Sequence, residues 1–427
     1  DVTGILCGGT APCAATSGLG FAPGFSDFDN DGDLDLYLVN DNIGGNWYHN
    51  VMWRNDGAAS GWTFTDISTS AGVDKSVNGM GLGIGDYNND GWMDIAFSNI
   101  GANTLYQNLG GNTFSDVSVA AGIDRPTTPS GAGAVTWGTV FFDHDNDGWL
   151  DIFFVAGEIN PQGVLQPNAL FKNNQDGTFT DISNPSGIDD TGRGRNASIT
   201  DIDGDGFVDI FVGNYGEAPK LYHNQSLQMG NTSHWLVVTV EGTVSNRDGI
   251  GTRMWLTTPD GITQMRDITS GPTHGGGDYR AGFFGIGTNT TADLIVRWPT
   301  GVMDTVGTVA VDQYLHLVEP SVVPKVGVQA TTGLPRQFEL HQNFPNPFNP
   351  TTTIKYDLPR DINVQLTIYN MLGQQVRVLV NGFQGAGYQQ VLWDGRDDAG
   401  QKVASGLYLY RIVAGTYVET RKLMLLK

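Results

Sequence analysis

An all-β fold is what this sequence predicts, in three parts: β-propeller-like repeats, a second β module and a C-terminal immunoglobulin-like β-sandwich. Three observations carry the prediction. One nine-residue acidic pattern recurs four times, with starts 59, 57 and 58 residues apart, and a fixed long period means a repeat architecture. Each copy is followed by a short β-branched or aromatic run, which reads as a strand. The 427 residues include 59 glycines and few Leu/Ala/Glu/Lys-rich helical stretches, a composition of many turns and few helices. The length suits two to four domains.

The four copies read Asp27-Phe-Asp29-Asn-Asp31-Gly32-Asp33-Leu-Asp35, Asp86-Tyr-Asn88-Asn-Asp90-Gly91-Trp-Met-Asp94, Asp143-His-Asp145-Asn-Asp147-Gly148-Trp-Leu-Asp151 and Asp201-Ile-Asp203-Gly-Asp205-Gly206-Phe-Val-Asp209. Calcium takes six to eight hard oxygen ligands in a forgiving geometry. Oxygens at positions 1, 3, 5 and 9, with a main-chain carbonyl near 7, supply most of them. The candidate ligands are therefore Asp27, Asp29, Asp31, Asp33 and Asp35 in the first loop, Asp86, Asn88, Asp90 and Asp94 in the second, Asp143, Asp145, Asp147 and Asp151 in the third, and Asp201, Asp203, Asp205 and Asp209 in the fourth. Glycine at position 6 permits a sharp turn. An EF-hand needs a bidentate Glu at position 12 and a following helix; position 12 here is Leu38, Phe97, Phe154 and Val212. The loops are thus expected in β-hairpins. Four phased copies outweigh the reading of each as a solvated Asp-Gly turn, because clustered carboxylates repel unless a cation sits among them. The expectation is about four Ca²⁺ sites, the second weakest because Asn88 replaces an Asp.

The net charge of −22 lies in the repeats: residues 1–225 hold 29 acidic against 7 basic side chains. Such a surface argues against nucleic acid and anionic membranes as partners. No apolar run reaches the 18 or so residues of a membrane span. Cys7 and Cys13 are read as a small disulfide loop, with two free thiols as the alternative. Millimolar extracellular calcium suits weak multi-Asp sites, which places the protein outside the cell. The first residue is Asp rather than Met, which reads as a processed or trimmed start.

A second block follows the calcium strand: Trp62-Thr-Phe64-Thr-Asp66-Ile-Ser68 with Ala71-Gly72-Val73, then Thr113-Phe114-Ser-Asp116-Val-Ser118 with Ala121-Gly122-Ile123, then Thr178-Phe179-Thr-Asp181-Ile-Ser183 with Gly187-Ile188. Its alternation suits another strand, and several short strands in about 58 residues make one propeller blade. Phe64, Phe114 and Phe179 are read as core between blades. The fourth copy ends at Tyr222-His-Asn224 without this block. With those loops, residues 20–225 resemble the FG-GAP/VCBS repeats of integrin α-chain propellers and bacterial surface proteins, which implies a propeller with calcium in its loops. Such propellers usually have seven blades, and four are legible. Either later strands complete the ring, or the ring is small, or the array is open.

Trp235-Leu-Val-Val-Thr-Val240, Gly249-Ile-Gly251-Thr-Arg253-Met-Trp255, Phe284-Gly285-Ile-Gly287 and Val296-Arg-Trp298-Pro299-Thr-Gly301 resemble an ASPIC/UnbV module, which follows such repeats in cartilage-acidic-protein-like chains. It is expected as a compact β-domain packed on the last blade. The organisation is then repeats over 1–225, the module over 226–320, a linker over 321–337 and a sandwich over 338–427. In the sandwich, closely spaced prolines in Asn343-Phe-Pro345-Asn-Pro347-Phe-Asn349-Pro350 fix an extended backbone. Val364-Gln-Leu-Thr-Ile-Tyr369, Val391-Leu-Trp393-Asp394-Gly395, Ser405-Gly406-Leu-Tyr408-Leu-Tyr410 and Lys422-Leu-Met-Leu-Leu-Lys427 add strands and turns. This tail resembles the sorting domain of type IX secretion in Bacteroidota-related bacteria. The resemblance implies a bacterial protein handled by that secretion machinery and attached to, or released from, the outer cell surface. An uncleaved tail offers a docking piece for a neighbouring subunit.

No Gly-x-Ser-x-Gly elbow and no His-Glu-x-x-His occurs, and His274-Gly-Gly-Gly277 reads as a flexible turn. No catalytic residue and no cofactor beyond calcium is expected. The leading reading is a secreted or cell-surface calcium-binding structural or adhesion protein, self-assembling into an extracellular homo-oligomer or polymer or binding a surface protein. The alternative is a glycan-binding module with Trp92 and Trp149 as platforms, against which stands packing of these rings between blades. A secreted polysaccharide-acting enzyme comes third.

Overall fold

The structure, a computed structural model, describes residues 19–42, 48–124, 134–158, 166–271, 277–320, 337–343, 346, 348, 351–360, 362–384, 387–398, 400–415 and 417–425. Cys7, Cys13, His274 and all but the last residue of the 321–337 linker lie outside them. The chain forms two compact units, residues 1–324 and 325–427.

The first unit opens with four antiparallel blades. Blade 1 is β1 (Leu19–Ser26), β2 (Asp35–Asp41), β3 (Val51–Asn55) and β4 (Phe64–Asp66), followed by one helical turn, α1 (Ser68–Ala71). Blade 2 is β5 (Leu82–Gly85), β6 (Asp94–Phe97), β7 (Thr104–Asn108) and β8 (Phe114–Asp116), followed by α2 (Ser118–Ala121). Blade 3 is β9 (Thr136–Phe142), β10 (Asp151–Ala156), β11 (Ala169–Asn173) and β12 (Phe179–Asp181). Blade 4 has three strands, β13 (Gly194–Thr200), β14 (Asp209–Asn214) and β15 (Lys220–Tyr222). Each acidic loop joins the first two strands of its blade, in a hairpin and not between helices. The Thr-Phe-x-Asp-Ile-Ser strand is shorter than alternation implies, because Asp66, Asp116 and Asp181 each accept the amide and hydroxyl of the Ser two residues on. That local turn competes with the ladder.

The blades stack in chain order, β1 beside β5, β5 beside β9 and β9 beside β13. Large apolar side chains fill each seam: Tyr37, Phe97 and Tyr106 in one cluster, Phe154, Phe171 and Phe179 in another. Phe114 and Phe179 are buried, and each ring meets the position-2 aromatic of the preceding loop, Phe28 at 6.0 Å and Tyr87 at 5.5 Å. Phe64 is half-buried.

The module has two sheets. One is β16 (His234–Glu241) between β19 (Ala281–Gly287) and β22 (Gln313–Val318), parallel to the latter. The other orders β18 (Thr263–Asp267), β17 (Arg253–Thr257), β20 (Thr291–Arg297) and β21 (Met303–Ala310). Leu236, Met254, Phe284, Leu294 and Trp298 form the core between them. The module does not pack on the last blade alone. It bridges blades 1 and 4: Arg253 reaches Ser26 and Asp27 beside β1, while Asp278 and Tyr279 pair with Ile199 on β13. Its β18 also lies against β5. An open pocket of about 110 Å³ is lined by β5, β9, Ile199, β18 and residues 278–281 and 283.

Buried Glu319 ties off this unit. One oxygen accepts the amides of Thr243, Val244 and Ser245 at 2.7–3.0 Å, and the other accepts Thr300 Oγ1 at 2.8 Å. Burial alone would raise its pKa, but these donors hold it down to about 2. A lowered folded pKa means stability present above the ordinary value of 4.5 and lost as pH falls from there towards 2. Glu319→Gln is expected to cost about 3 kcal/mol at pH 7 and to flatten that acid limb. Denaturant midpoints between pH 2 and 7 measure it, and an unchanged limb would remove Glu319 from the account.

The second unit is a sandwich of β23 (Glu339–Leu340), β24 (Thr352–Leu358) and β27 (Gly387–Trp393) against β26 (Gln375–Gln384), β25 (Ile362–Asn370), β28 (Gly406–Ala414) and β29 (Tyr417–Leu425). Trp393, Tyr356, Tyr410, Leu366 and Ile412 fill its core. Tyr410 Oη accepts the Asn343 amide and donates to the His341 carbonyl, which pins the incoming chain.

Candidate metal centres

Four loops fold on one template. The position-9 carboxylate accepts two amides, from position 2 of its own loop and from an Asn at the end of the third strand or, in blade 4, two residues past it. Phe28 and Asn55 do this for Asp35 at 3.0 and 2.8 Å, Tyr87 and Asn108 for Asp94 at 3.1 and 2.8 Å, His144 and Asn173 for Asp151 at 2.9 and 2.8 Å, and Ile202 and Asn224 for Asp209 at 2.9 and 2.7 Å. The position-1 carboxylate accepts the amide of the position-6 glycine, Gly32, Gly91, Gly148 or Gly206, at 2.7–3.1 Å. Those glycines have φ between 86° and 104°, where a Cβ is strained.

These bonds turn the carboxylates of each loop inward. Oxygens of Asp27, Asp29 and Asp35 lie within 4.8 Å of one another, as do those of Asp143, Asp145 and Asp147. In loop 4 the group is Asp203, Asp205 and His223, the last just past the third strand. Burial, with neighbouring carboxylates adding to it, pushes Asp35 up to about 8, Asp86 to about 7 and Asp31 and Asp147 to about 6. Asp94 and Asp143 move the same way. His144 is pushed up instead to about 9: burial opposes its charge, but Asp151 accepts from the ring at 2.6 Å and Asp145 and Asp143 add attraction.

The donor set fits a hard cation. Asp27 Oδ1, Asp145 Oδ1 and Asp205 Oδ2 are buried without a hydrogen-bond partner, and such oxygens are costly unless something positive meets them. Loop 2 has no such oxygen among its acids; Asn88 Nδ2 donates to Asp90 at 2.9 Å instead. Loop 3 holds cations of its own: Lys172 contacts Asp145 and stands 3.8 Å from Asp147. Asp33, the acid at position 7 that loop 1 alone carries, leans against Gly57. The Trp rings at that position are half-buried, Trp92 against Gly110, which favours packing over glycan stacking.

Two kinds of residue escaped the sequence reading. In blades 2 to 4 this Asn staples the blade to its predecessor. Asn108 Nδ2 donates to the Phe28 carbonyl at 2.9 Å, Asn173 to Tyr87 at 2.8 Å and Asn224 to His144 at 2.8 Å. The recurrence of an aromatic two residues before each of these Asn was the available signal. Position 4 staples forward: Asn30, Asn89 and Asn146, all left-handed, donate to Gly91, Gly148 and Gly206 carbonyls at 3.0–3.1 Å. Loop 4 has no later loop to reach, and there the residue is Gly204. Asn173→Ala strands two buried carbonyls, Tyr87 and Leu150, and is expected to cost about 2–4 kcal/mol in urea unfolding. A loss under about 0.5 kcal/mol, the scatter of ordinary surface changes, would refute the staple.

The module supplies the other missed residues. Arg297 Nη2 donates to Asp27 Oδ2 at 2.6 Å, and Tyr314 Oη to Asp201 Oδ2 at 2.6 Å. Half-buried Arg266 feels the charges of Asp143 and Asp86. Each position-1 carboxylate therefore faces a donor or a positive charge from the module.

Family models match this layout. The FG-GAP-like repeat matches residues 27–97, 86–154 and 143–212, and the ASPIC and UnbV model matches 242–324. The chain carries FG-GAP-like repeats followed by an ASPIC and UnbV domain. An FlgD Ig-like domain matches residues 348–417, on the sandwich. Curated relatives include cartilage acidic protein 1 of Mus musculus, 27% identical over 263 residues that make up 60% of this chain and 38% of the relative. The Homo sapiens protein is 28% identical over 278 residues, 63% of this chain and 39% of the relative. The chain thus spans about two fifths of the length of these relatives. Among solved structures, FlgD of P. aeruginosa is 28% identical over 17% of this chain and 57% of that one, with a TM-score of 0.15. PorZ, a surface component of the type IX secretion system of Porphyromonas gingivalis, is 11% identical over 98% of this chain and 61% of that one, with a TM-score of 0.27.

Proposed function

We propose that this protein is an extracellular, calcium-stabilised structural or adhesion protein of a bacterial surface, exported through its C-terminal domain by type IX secretion and able to assemble with copies of itself. The observation that carries the reading is the fourfold repetition of one acidic loop in which backbone amides aim carboxylates inward and leave buried oxygens without donors in loops 1, 3 and 4. Calcium would be held by positions 1, 3, 5 and 9, and it supplies charge neutralisation, not chemistry. The curated relatives are named for cartilage and for acidity, and the repeats here share the acidity. The described residues contain no helix long and apolar enough to cross a membrane. The role of the ion is to make the hairpin ends rigid, so that stacked blades present fixed outer surfaces.

Negative-stain electron microscopy of the full chain tests the assembly, with calcium and then with excess chelator. Filaments, tubes or sheets that dissolve on chelation are the expected result. Single particles in both conditions would sink the assembly, and attention would pass to glycan arrays.

A further inference from the structure

Blades 1 to 3 each finish with a strand and a turn that cover the outer side of the third strand. In blade 2, Ser118 Oγ accepts the amide of Leu105 at 2.9 Å, and the amide of Val117 donates to the Leu105 carbonyl at 3.0 Å. Ser68 and Ile67 treat Met52 the same way, and Ser183 and Ile182 treat Leu170. The residues that follow, Ala71 and Val73, Ala121 and Ile123, or Ile188, then join the cores beneath. Met52, Leu105 and Leu170 are consequently buried, as are Tyr37, Ala96 and Phe153 on the second strands.

Blade 4 stops at its third strand. After Asn224 the chain turns through residues 225–231 and leaves for β16. Counting from Asp209 and Asn224, Phe211 is the counterpart of Phe153 and Leu221 of Leu170, and the two are paired across the ladder just as Phe153 and Leu170 are. Here, however, Phe211 is 43% and Leu221 55% exposed. Among the described residues no strand pairs with the outer edge of β15. An uncovered edge with an apolar floor is a template for another strand.

We propose that the outer edge of β15 accepts, by strand addition, an extended segment of another polypeptide carrying the pattern Asp-(Ile/Val)-Ser-x-x-(Ala/Ser)-Gly-(Ile/Val). The Ser hydroxyl takes the Leu221 amide, the Ile or Val amide reaches the Leu221 carbonyl, and the apolar residues cover Leu221 and Phe211. Main-chain bonds supply affinity in this mode and the side-chain pattern supplies specificity. The chemistry of the occupant is set by the three segments of this chain that fill the equivalent positions. The inference goes beyond the calcium reading and does not rest on it.

The test uses the full chain with calcium and a fluorescein-labelled peptide of residues Gly111–Asp124, read by fluorescence polarisation. Saturable binding with a Kd of roughly 1–100 µM is expected. Leu221→Asp should weaken it by about tenfold or more without moving the melting temperature, since that side chain is exposed. A peptide with Val117→Asp and Ser118→Ala should fail likewise, and hydrogen exchange at the Leu221 amide should slow on peptide addition. Binding no stronger than that of a scrambled peptide overturns the proposal, as does binding indifferent to Leu221→Asp. Binding gained only on deleting residues 1–18, where Asp1-Val2-Thr3 echoes the pattern, or residues 325–427 also overturns it, because the occupant is then this chain's own segment.

Discussion

Removing calcium will lower the melting temperature of the first unit by roughly 15 °C. A site occupied at a hundred times its Kd contributes about 2.7 kcal/mol, there are four loops, and a unit of this size loses about 1.5 °C per kcal/mol. The reason lies in the carboxylates. Burial favours the neutral acid at Asp35, Asp86, Asp31 and Asp147, with values of about 8, 7, 6 and 6 against an ordinary 3.8. In the ion-free fold these groups bind more protons than they do in the unfolded chain. Stability then falls as pH rises from about 4 to 8. With calcium present the cation replaces the protons, and the fall disappears or reverses. Scanning calorimetry at pH 5, 6.5 and 8, with calcium and with chelator, gives both answers. Equal melting temperatures in the two conditions at pH 8 would show that the loops hold no structural ion.

Arg253→Met should cost about 3–5 kcal/mol, the range for removing one partner of a buried pair. Arg253 is fully buried, with Nε on Asp267 Oδ1 at 2.6 Å and Nη2 on Asp267 Oδ2 at 2.8 Å. Nη2 also meets the Asp27 carbonyl at 2.9 Å, and Nη1 lies 3.6 Å from Asp27 Oδ2. The substitution leaves Asp267 and Asp27 with less positive charge and unfastens the module from loop 1. Arg253→Lys should recover only part of the loss, because an ammonium cannot make the forked contact. Urea midpoints measure both. A midpoint for Arg253→Met within error of the parent would show that loop 1 and the module hold together without this residue.

Much of the fold was legible because its signals are local. A strand after each acidic loop follows from runs such as Ile152-Phe-Phe-Val155, and β10 duly covers Asp151–Ala156. The lack of an acid at position 12 excluded an EF-hand, and the apolar runs after each loop placed it in a hairpin. The turn at Asp66-Ile-Ser68 was missed because alternation was read as strand, when the Asp side chain can end a strand by itself. The recurring Asn55, Asn108, Asn173 and Asn224 were in view as letters. Their partners, carbonyls about 80 residues away for the last three, leave no mark in a nine-residue pattern.

The sequence by itself determined the period, the hairpin setting of the loops, the left-handed glycines and the order of parts, since each depends on residues within one hairpin or one strand. Only the tertiary structure decided that the module bridges blades 1 and 4. Arg253 and Arg297 meet loop 1 across 223 and 270 residues of chain. Tertiary structure also separated Leu170 from Leu221, two leucines in the same local setting. One is covered by the strand that follows it; the other's chain turns away to build the module, and its edge stays open.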